Sequence, residues 1–255
     1  MDDVLAYTDV NRRAWDRMAT SRPTRGGAFF RDGGSTLDDI ETVELPDVDR
    51  RTFLHLACAN GNDSLSWAAR GARVTGVDIS AVAIEAARQQ AAESGLDARF
   101  VAADMFELPD DLGTFDVVHA SWGVVCWVPD LDRWLSVVVD HLVPGGTFFL
   151  AEHHPVWEAL GAPDDEGRLR PVADYFGRRT PSGHSLDPTR HPRGWTEDVE
   201  TASFVWPVSD VFSAVTAAGL KVEHFSEHPV PKLYDGMGDA ARWLPAVYFV
   251  RAVRT

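Results

Sequence analysis

Apolar residues recur at helical spacing from Val4 to Met18, with Val4, Tyr7, Val10, Asn11, Ala14, Trp15 and Met18 falling on one face. This predicts an N-terminal amphipathic helix. The Gly- and Arg-rich stretch from Arg22 to Ser35 reads as a loop. From Thr52 the period changes to short apolar runs separated by helical ones. Strands are predicted at Thr52–Ala57, Arg73–Val77, Ala98–Ala102, Phe115–Ala120 and Thr147–Ala151. Helices fall between them: Asp63–Arg70 stopped by Gly71, a helix N-capped by Ser80 and ended at Gly95, and one from Asp130 to Leu142. Pro144, Gly145 and Gly146 read as a turn.

Strands alternating with helices imply parallel pairing through right-handed crossovers. The expected architecture is an α/β, doubly wound sheet, which binds ligands beyond the carboxyl ends of its strands. The rhythm breaks from Pro155 to Trp206, where Pro155, Pro163, Pro171, Pro181, Pro188 and Pro192 interrupt a charged segment. A stretch of that kind reads as a lid or binding insertion, with short strands at Ala173–Phe176 and Thr201–Trp206. A helix at Val208–Ala218 and strands at Lys221–Glu227 and Ala246–Val253 follow. Two strands with no helix between them imply an antiparallel pair at the sheet edge. The expected organisation is a helical cap (1–50), a cofactor-binding half (51–154), a lid (155–206) and a closing helix with its strand pair (207–255).

Composition narrows the class. The 255 residues are enough to bury a full core. No apolar run approaches the roughly 20 residues that span a bilayer, and the first ten residues carry three aspartates rather than a signal-peptide pattern. A cytoplasmic protein is expected. Two cysteines, Cys58 and Cys126, cannot frame a disulfide scaffold or a zinc cluster, so they read as small buried groups and no metal is expected. A net charge of -15 repels phosphate backbones and anionic membranes, which argues against nucleic acid and membrane partners despite the local arginines of 168–179.

The candidate chemistry lies at the strand ends. The first strand runs into a tight turn of small residues, Ala57-Cys58-Ala59-Asn60-Gly61, with a helix behind it. Small residues admit close approach of a ligand to the backbone, and the helix N-terminus offers N–H groups. The second strand ends at Asp78-Ile79-Ser80, where a ribose-diol acceptor belongs. The third ends at Asp104-Met105, where a carboxylate can accept from an adenine amino group and the next residue can cover the ring. The fourth ends at His119-Ala120-Ser121-Trp122. Four strand ends in register carry more weight than any one of them.

These motifs, with Phe115-Asp116-Val117-Val118 and Leu142-Val143-Pro144-Gly145-Gly146, resemble class I S-adenosylmethionine-dependent methyltransferases of the bacterial small-molecule type, over roughly Tyr7 to Arg254. The resemblance implies a seven-stranded sheet with an antiparallel last strand and S-adenosyl-L-methionine as cofactor. By position it assigns the glycine-rich turn to Ala57–Gly61, including Asn60, the ribose acid to Asp78, and the adenine contacts to Ile79, Asp104 and Met105. Ser121 faces the methionine part. The sequence departs from the pattern at His55, where an acid is usual, and at Ala57 and Ala59, where glycines are usual. Alanine serves at those positions only if the turn does not need positive φ. His55 reads as a structural residue, and so does His119.

Moving a methyl group to an acceptor needs alignment and, for a hydroxyl, a base. Glu152, His153 and His154 at the end of the fifth inner strand are the candidates. Neighbours on a strand point to opposite faces, and His154 is favoured because Pro155 holds the chain beside it extended. Acceptor walls are expected from Trp122, Trp127, Trp157, Tyr175, Phe176 and Trp195. Tyr7, Asn11 and Trp15 are placed to fold the first helix over the cofactor. The run Ala120-Ser121-Trp122-Gly123 lacks the Asn/Asp-Pro-Pro-Tyr/Phe signature of DNA amino-methyltransferases. The expected function is methyl transfer to oxygen or nitrogen of a small molecule in a biosynthetic or tailoring pathway, with a homodimer left open. The rival readings are a relative that binds cofactor without methyl transfer, a non-methylating reaction on the same fold, and a dinucleotide oxidoreductase; the last is disfavoured because G-x-G-x-x-G spacing is missing.

Overall fold

The computed structural model describes residues 3–45, 47–160, 168–171, 174–177, 200–234 and 237–255. Seven strands form one sheet: β1 (Thr52–Leu56), β2 (Arg73–Asp78), β3 (Ala98–Ala102), β4 (Phe115–Ser121), β5 (Leu142–His153), β6 (Leu220–His228) and β7 (Val247–Arg254). Their order is β3-β2-β1-β4-β5-β7-β6, and β7 is antiparallel to both of its neighbours. The order reverses between β1 and β4, so the carboxyl ends of those two strands form the switch point where such sheets bind ligands.

Eight helices accompany the sheet among the described residues: α1 (Asp3–Ala19), α2 (Gly27–Arg31), α3 (Asp39–Glu44), α4 (Asn62–Ala69), α5 (Ala81–Ser94), α6 (Leu131–Asp140), α7 (Pro155–Leu160) and α8 (Val208–Ala217). The period of two sends alternate strand residues to opposite faces. Leu54, Leu56, Val118, Phe148 and Leu150 pack with Trp134 and Leu135 of α6 and Val211 and Val215 of α8. Phe53, Val74, Val117 and Phe149 pack on the other side with Trp67 of α4. None of these helices is long and apolar enough to cross a membrane.

Local signals set the helix ends. Ser80 accepts from Ala83 N–H at 3.1 Å to start α5, and Gly95 at φ 70° ends it. Asp130 starts α6 by accepting from Arg133 N–H at 3.0 Å.

Four expectations change. The loop expected at 22–35 contains α2, because Phe30 is buried against α5 in the cluster of Cys58, Ile84 and Phe100. The turn at Pro144–Gly146 lies inside β5: pairing jumps from Phe115↔Leu142 to Val117↔Thr147, so the extra residues bulge out. No strand forms at 201–206, where the chain instead seats Phe204 and Trp206 in the core. Residues 174–177 form a turn, with Ala173 outside the described residues. Two helices went unforeseen. Pro155 opens α7, a position that suits proline because its missing N–H is not needed there. α3 begins with a reciprocal cap, in which Ile40 N–H donates to Asp38 and Asp38 N–H donates to Glu41.

Candidate active site

β1 leads into a turn whose backbone is left-handed at Ala57 (φ 53°), Ala59 (φ 49°) and Gly61 (φ 78°). The turn therefore does need positive φ, contrary to the condition under which alanine would be free of cost. Each alanine carries about 1–2 kcal/mol of strain in that region. Gly61 could not be replaced: a Cβ there would sit 2.8 Å from Ala87 and from the Phe100 ring. What holds the strained turn is Asp78, whose Oδ2 accepts Ala59 N–H at 2.8 Å.

Asp78 is buried at the end of β2. Its Oδ1 accepts Ser80 N–H at 2.9 Å. Burial pushes its carboxyl above the usual range, while those two N–H groups oppose the shift. Two donors leave a carboxylate with lone pairs for a diol. At the end of β3, Asp104 Oδ1 accepts Phe106 N–H at 2.9 Å. Ile79 and Met105 beside these acids are half-buried, and Met105, like Ala57, Ala103 and Tyr7, packs against the main core cluster. The expected adenosyl contacts thus lie at three neighbouring strand ends.

α1 is tied to the neighbouring segments, to Ser80 beyond β2 among them. Asn11 exchanges two hydrogen bonds with the Ala202 backbone, at 2.9 and 2.8 Å. Tyr7 meets Phe204 edge-on at 5.4 Å, and Trp15 meets Trp127 at 5.5 Å. Asp16 accepts from Ser80 Oγ at 2.7 Å. Asn60 departs from its expected role: its side-chain amide donates to Pro23 O at 2.9 Å and so fastens the 23–26 loop. Gln90 secures the same loop through Arg25 N–H and Gly26 N–H.

Beyond β4 the polar groups are arranged in an unforeseen way. Ser121 Oγ lies 3.1 Å from His55 Nε2, and His55 Nδ1 lies 2.8 Å from Ser64 Oγ. Burial, and secondarily His119, hold the His55 imidazole well below its ordinary pKa, so it is a neutral strut under Ser121. Trp122 follows at φ 55° and Gly123 at φ 85°. The buried Glu152 stabilises this bend by accepting N–H groups of Gly123 (2.7 Å), Val124 (2.8 Å), Val125 (2.8 Å) and His153 (2.6 Å). Burial raises its pKa against those four bonds.

These contacts revise the catalytic candidates. Glu152 is committed to the backbone and is not placed to take a proton. His154 has both ring nitrogens engaged. Val156 N–H donates to Nδ1 at 3.2 Å, so Nε2 carries the hydrogen and donates to Glu227 Oε1 at 2.8 Å. His153 beside it has a partly exposed ring that lies 5.7 Å from Trp122 and 5.2 Å from Trp157. Pro155 opens α7 directly after His154, whose N–H donates to Ala246 O at 2.9 Å.

Comparison with known proteins bears on this core. Residues 53–146 are similar to a methyltransferase-domain family. The ubiquinone biosynthesis O-methyltransferase of Chelativorans sp. is 35% identical over 109 residues, which is 43% of this chain and 43% of that protein. The chain therefore aligns with less than half the length of the curated relatives it matches. Among solved structures, an S-adenosylmethionine-dependent methyltransferase from Mesorhizobium loti aligns with TM-score 0.64 and 23% identity over 88% of this chain and 100% of that one. A putative one from Listeria monocytogenes gives 0.65 and 22%, covering 85% and 97%. The fold is that of class I S-adenosylmethionine-dependent methyltransferases.

Ala57, Gly61, Asp78, Ile79, Asp104, Met105 and Ser121 lie at or just past the carboxyl ends of β1 to β4. Trp122 and Trp157 flank His153, and Trp157 is fixed by donating to Leu233 O at 2.7 Å. Tyr175 pairs edge-on with Phe176, which is exposed. Trp195 lies outside the described residues. Glu41, unforeseen from sequence, accepts from Trp122 Nε1 at 2.9 Å. Its one sequence signal was Asp38-x-x-Glu41, a capping pattern that says nothing of an indole.

Proposed function

We propose that the chain transfers a methyl group from S-adenosyl-L-methionine to an oxygen or nitrogen of a small molecule. The observation that carries this reading is the joint placement of the left-handed 57–61 turn, Asp78 and Asp104 at three successive strand ends under α1. The cofactor, when bound, supplies a methyl group on a positively charged sulfur. Asp78 has the acceptor capacity for a ribose diol and Asp104 for an adenine amino group, with Ile79 and Met105 against the ring. The backbone of 57–61 and Ser121 are left for the amino-acid end.

The chain's own contribution is position, exclusion of water and, for a hydroxyl acceptor, proton removal. Tyr7, Trp15 and Trp127 cover the site. Trp122 and Trp157 offer apolar walls to an acceptor with a flat or apolar part. His153 between them is placed to take the acceptor's proton on its imidazole. The domain match, the relatives' names and the net charge of -15 support a small acceptor over nucleic acid. A biosynthetic or tailoring role, a cytoplasmic location and a homodimer belong to the same proposal.

Titration calorimetry with S-adenosylhomocysteine tests the cofactor. Micromolar binding is expected, and no measurable heat at millimolar ligand would end the reading. Competition by NAD would favour the oxidoreductase instead.

A further inference from the structure

Beneath the acceptor wall is a buried polar pair that the methyl-transfer reading does not use. Glu41 and His119 are both fully enclosed. Glu41 Oε2 accepts from Trp122 Nε1 and from Asp38 N–H, at 2.9 and 3.0 Å. Glu41 Oε1 has no hydrogen-bond partner among the described residues. It faces His119 Nε2, also without one, at 3.8 Å. On the far side of the ring, His119 Nδ1 lies 3.0 Å from Phe149 O. A carbonyl only accepts, so Nδ1 carries the hydrogen and Nε2 of the neutral ring is a bare acceptor. An ionised Glu41 would then set two acceptors against each other in a dry interior, with an uncompensated charge.

We infer that Glu41 and His119 hold one proton between them, and that this neutral pair makes Glu41 the positioning residue for the Trp122 indole beside His153. Its place at an acceptor pocket rests on the methyl-transfer reading above; the proton pair itself does not. Surrounding charge acts in the same direction. Burial, then the charges of Asp63 in α4 and of Asp38 at the N-cap of α3, push the Glu41 pKa to about 8 against the hydrogen bonds from Asp38 N–H and the Trp122 indole. Burial likewise pushes His119 down to about 4, against the pull of Phe149 O. The other titratable neighbours are His55, with its ring 4.8 Å from His119, and Lys232, 3.8 Å from Asp38. As pH rises through about 8, the proton leaves Glu41 for solvent and the pair becomes a buried anion. The contact that holds the Trp122 indole changes with it.

The indole N–H signals in a nitrogen-15 proton spectrum of the full chain test this. Loss of one signal in Trp122→Phe assigns Trp122. In wild type that signal is expected to move with a midpoint near pH 8. In Glu41→Gln it is expected to stay still, because the carboxamide oxygen can accept from the indole while its N–H donates to His119 Nε2. Glu41→Ala is expected to shift the signal at every pH. A wild-type signal that does not move between pH 6.5 and 9, or one that titrates unchanged in Glu41→Gln, overturns the inference. If Glu41→Gln does not fold, the wild-type titration alone decides. A chain that binds no S-adenosylhomocysteine overturns the methyl-transfer reading, and the indole titration still decides for or against the pair.

Discussion

His154 Nε2 donates to Glu227 Oε1 at 2.8 Å, joining the end of β5 to the edge strand β6 across the last strand β7. The ring that sequence favoured as base is thereby occupied, and its neighbour His153 takes the place between two tryptophans. With an oxygen acceptor found by screening, His153→Ala is expected to lose about 10²–10⁴-fold in kcat, the usual contribution of a general base. His154→Ala is expected to keep kcat within about threefold, since it changes no group placed at the reacting atoms. The reverse order of losses would return the role to His154.

Glu152 is expected to matter for stability before it matters for catalysis. Glu152→Ala leaves the N–H groups of Gly123, Val124 and Val125 buried without their acceptor. Each such group costs about 1–3 kcal/mol, so a loss of at least about 3 kcal/mol is expected in urea unfolding. A loss under about 1 kcal/mol would show that the bend at 122–125 is held by other means.

Ala57→Gly and Ala59→Gly should each stabilise the chain. Relief of about 1–2 kcal/mol of left-handed strain exceeds the added entropy of the unfolded chain, about 0.4–1 kcal/mol. The net gain per substitution is about 0.5–1 kcal/mol, or about 1–4 °C in Tm for a chain of this size. Calorimetric melting checks it, and a fall in Tm would mean that the alanine methyls pack well enough to outweigh their strain.

Asp78 links turn and ligand. Asp78→Asn keeps the size but exchanges one oxygen for an amide nitrogen, so Ala59 N–H or Ser80 N–H loses its acceptor and the other acceptor loses its charge, at about 1.5–3 kcal/mol per hydrogen bond to a charged group. S-adenosylhomocysteine affinity is expected to fall about 10–100-fold by calorimetry. An unchanged affinity would remove Asp78 from the binding site.

The pH dependence of stability carries the sign of Glu41. Its folded pKa of about 8 lies above the ordinary 4.5, so between these values the folded state holds a proton that the unfolded state has lost. Stability therefore falls as pH rises through that window. His119, depressed to about 4 from 6.5, acts in the opposite sense below 6.5. Between 6.5 and about 8 Glu41 contributes to the fall, and Glu41→Gln removes its share. Denaturant unfolding is expected to show declining stability across this interval in wild type and a flatter profile in Glu41→Gln. A rise in wild type would contradict the assignment.

The strand and helix order from Thr52 to Leu142, and the places of Gly61, Asp78 and Asp104, were legible in the sequence, because hydrophobic period and capping residues act within a few positions of themselves. Ser80, Gly95 and Asp130 mark helix ends by contacts three or four residues away. α2, α3 and α7 were less legible, since each is six residues or fewer and is shaped by what it packs against.

The roles of the ionisable groups were decided by tertiary structure. Glu152 meets Gly123–Val125 from 27–29 residues away, His154 meets Glu227 from 73, and Glu41 meets Trp122 from 81. No local pattern encodes such pairings, because a side chain's partner depends on how distant segments are brought together. Sequence by itself determined the sheet and the residues at its strand ends; only the packed chain decided which distant groups Glu152, His154 and Glu41 are bonded to.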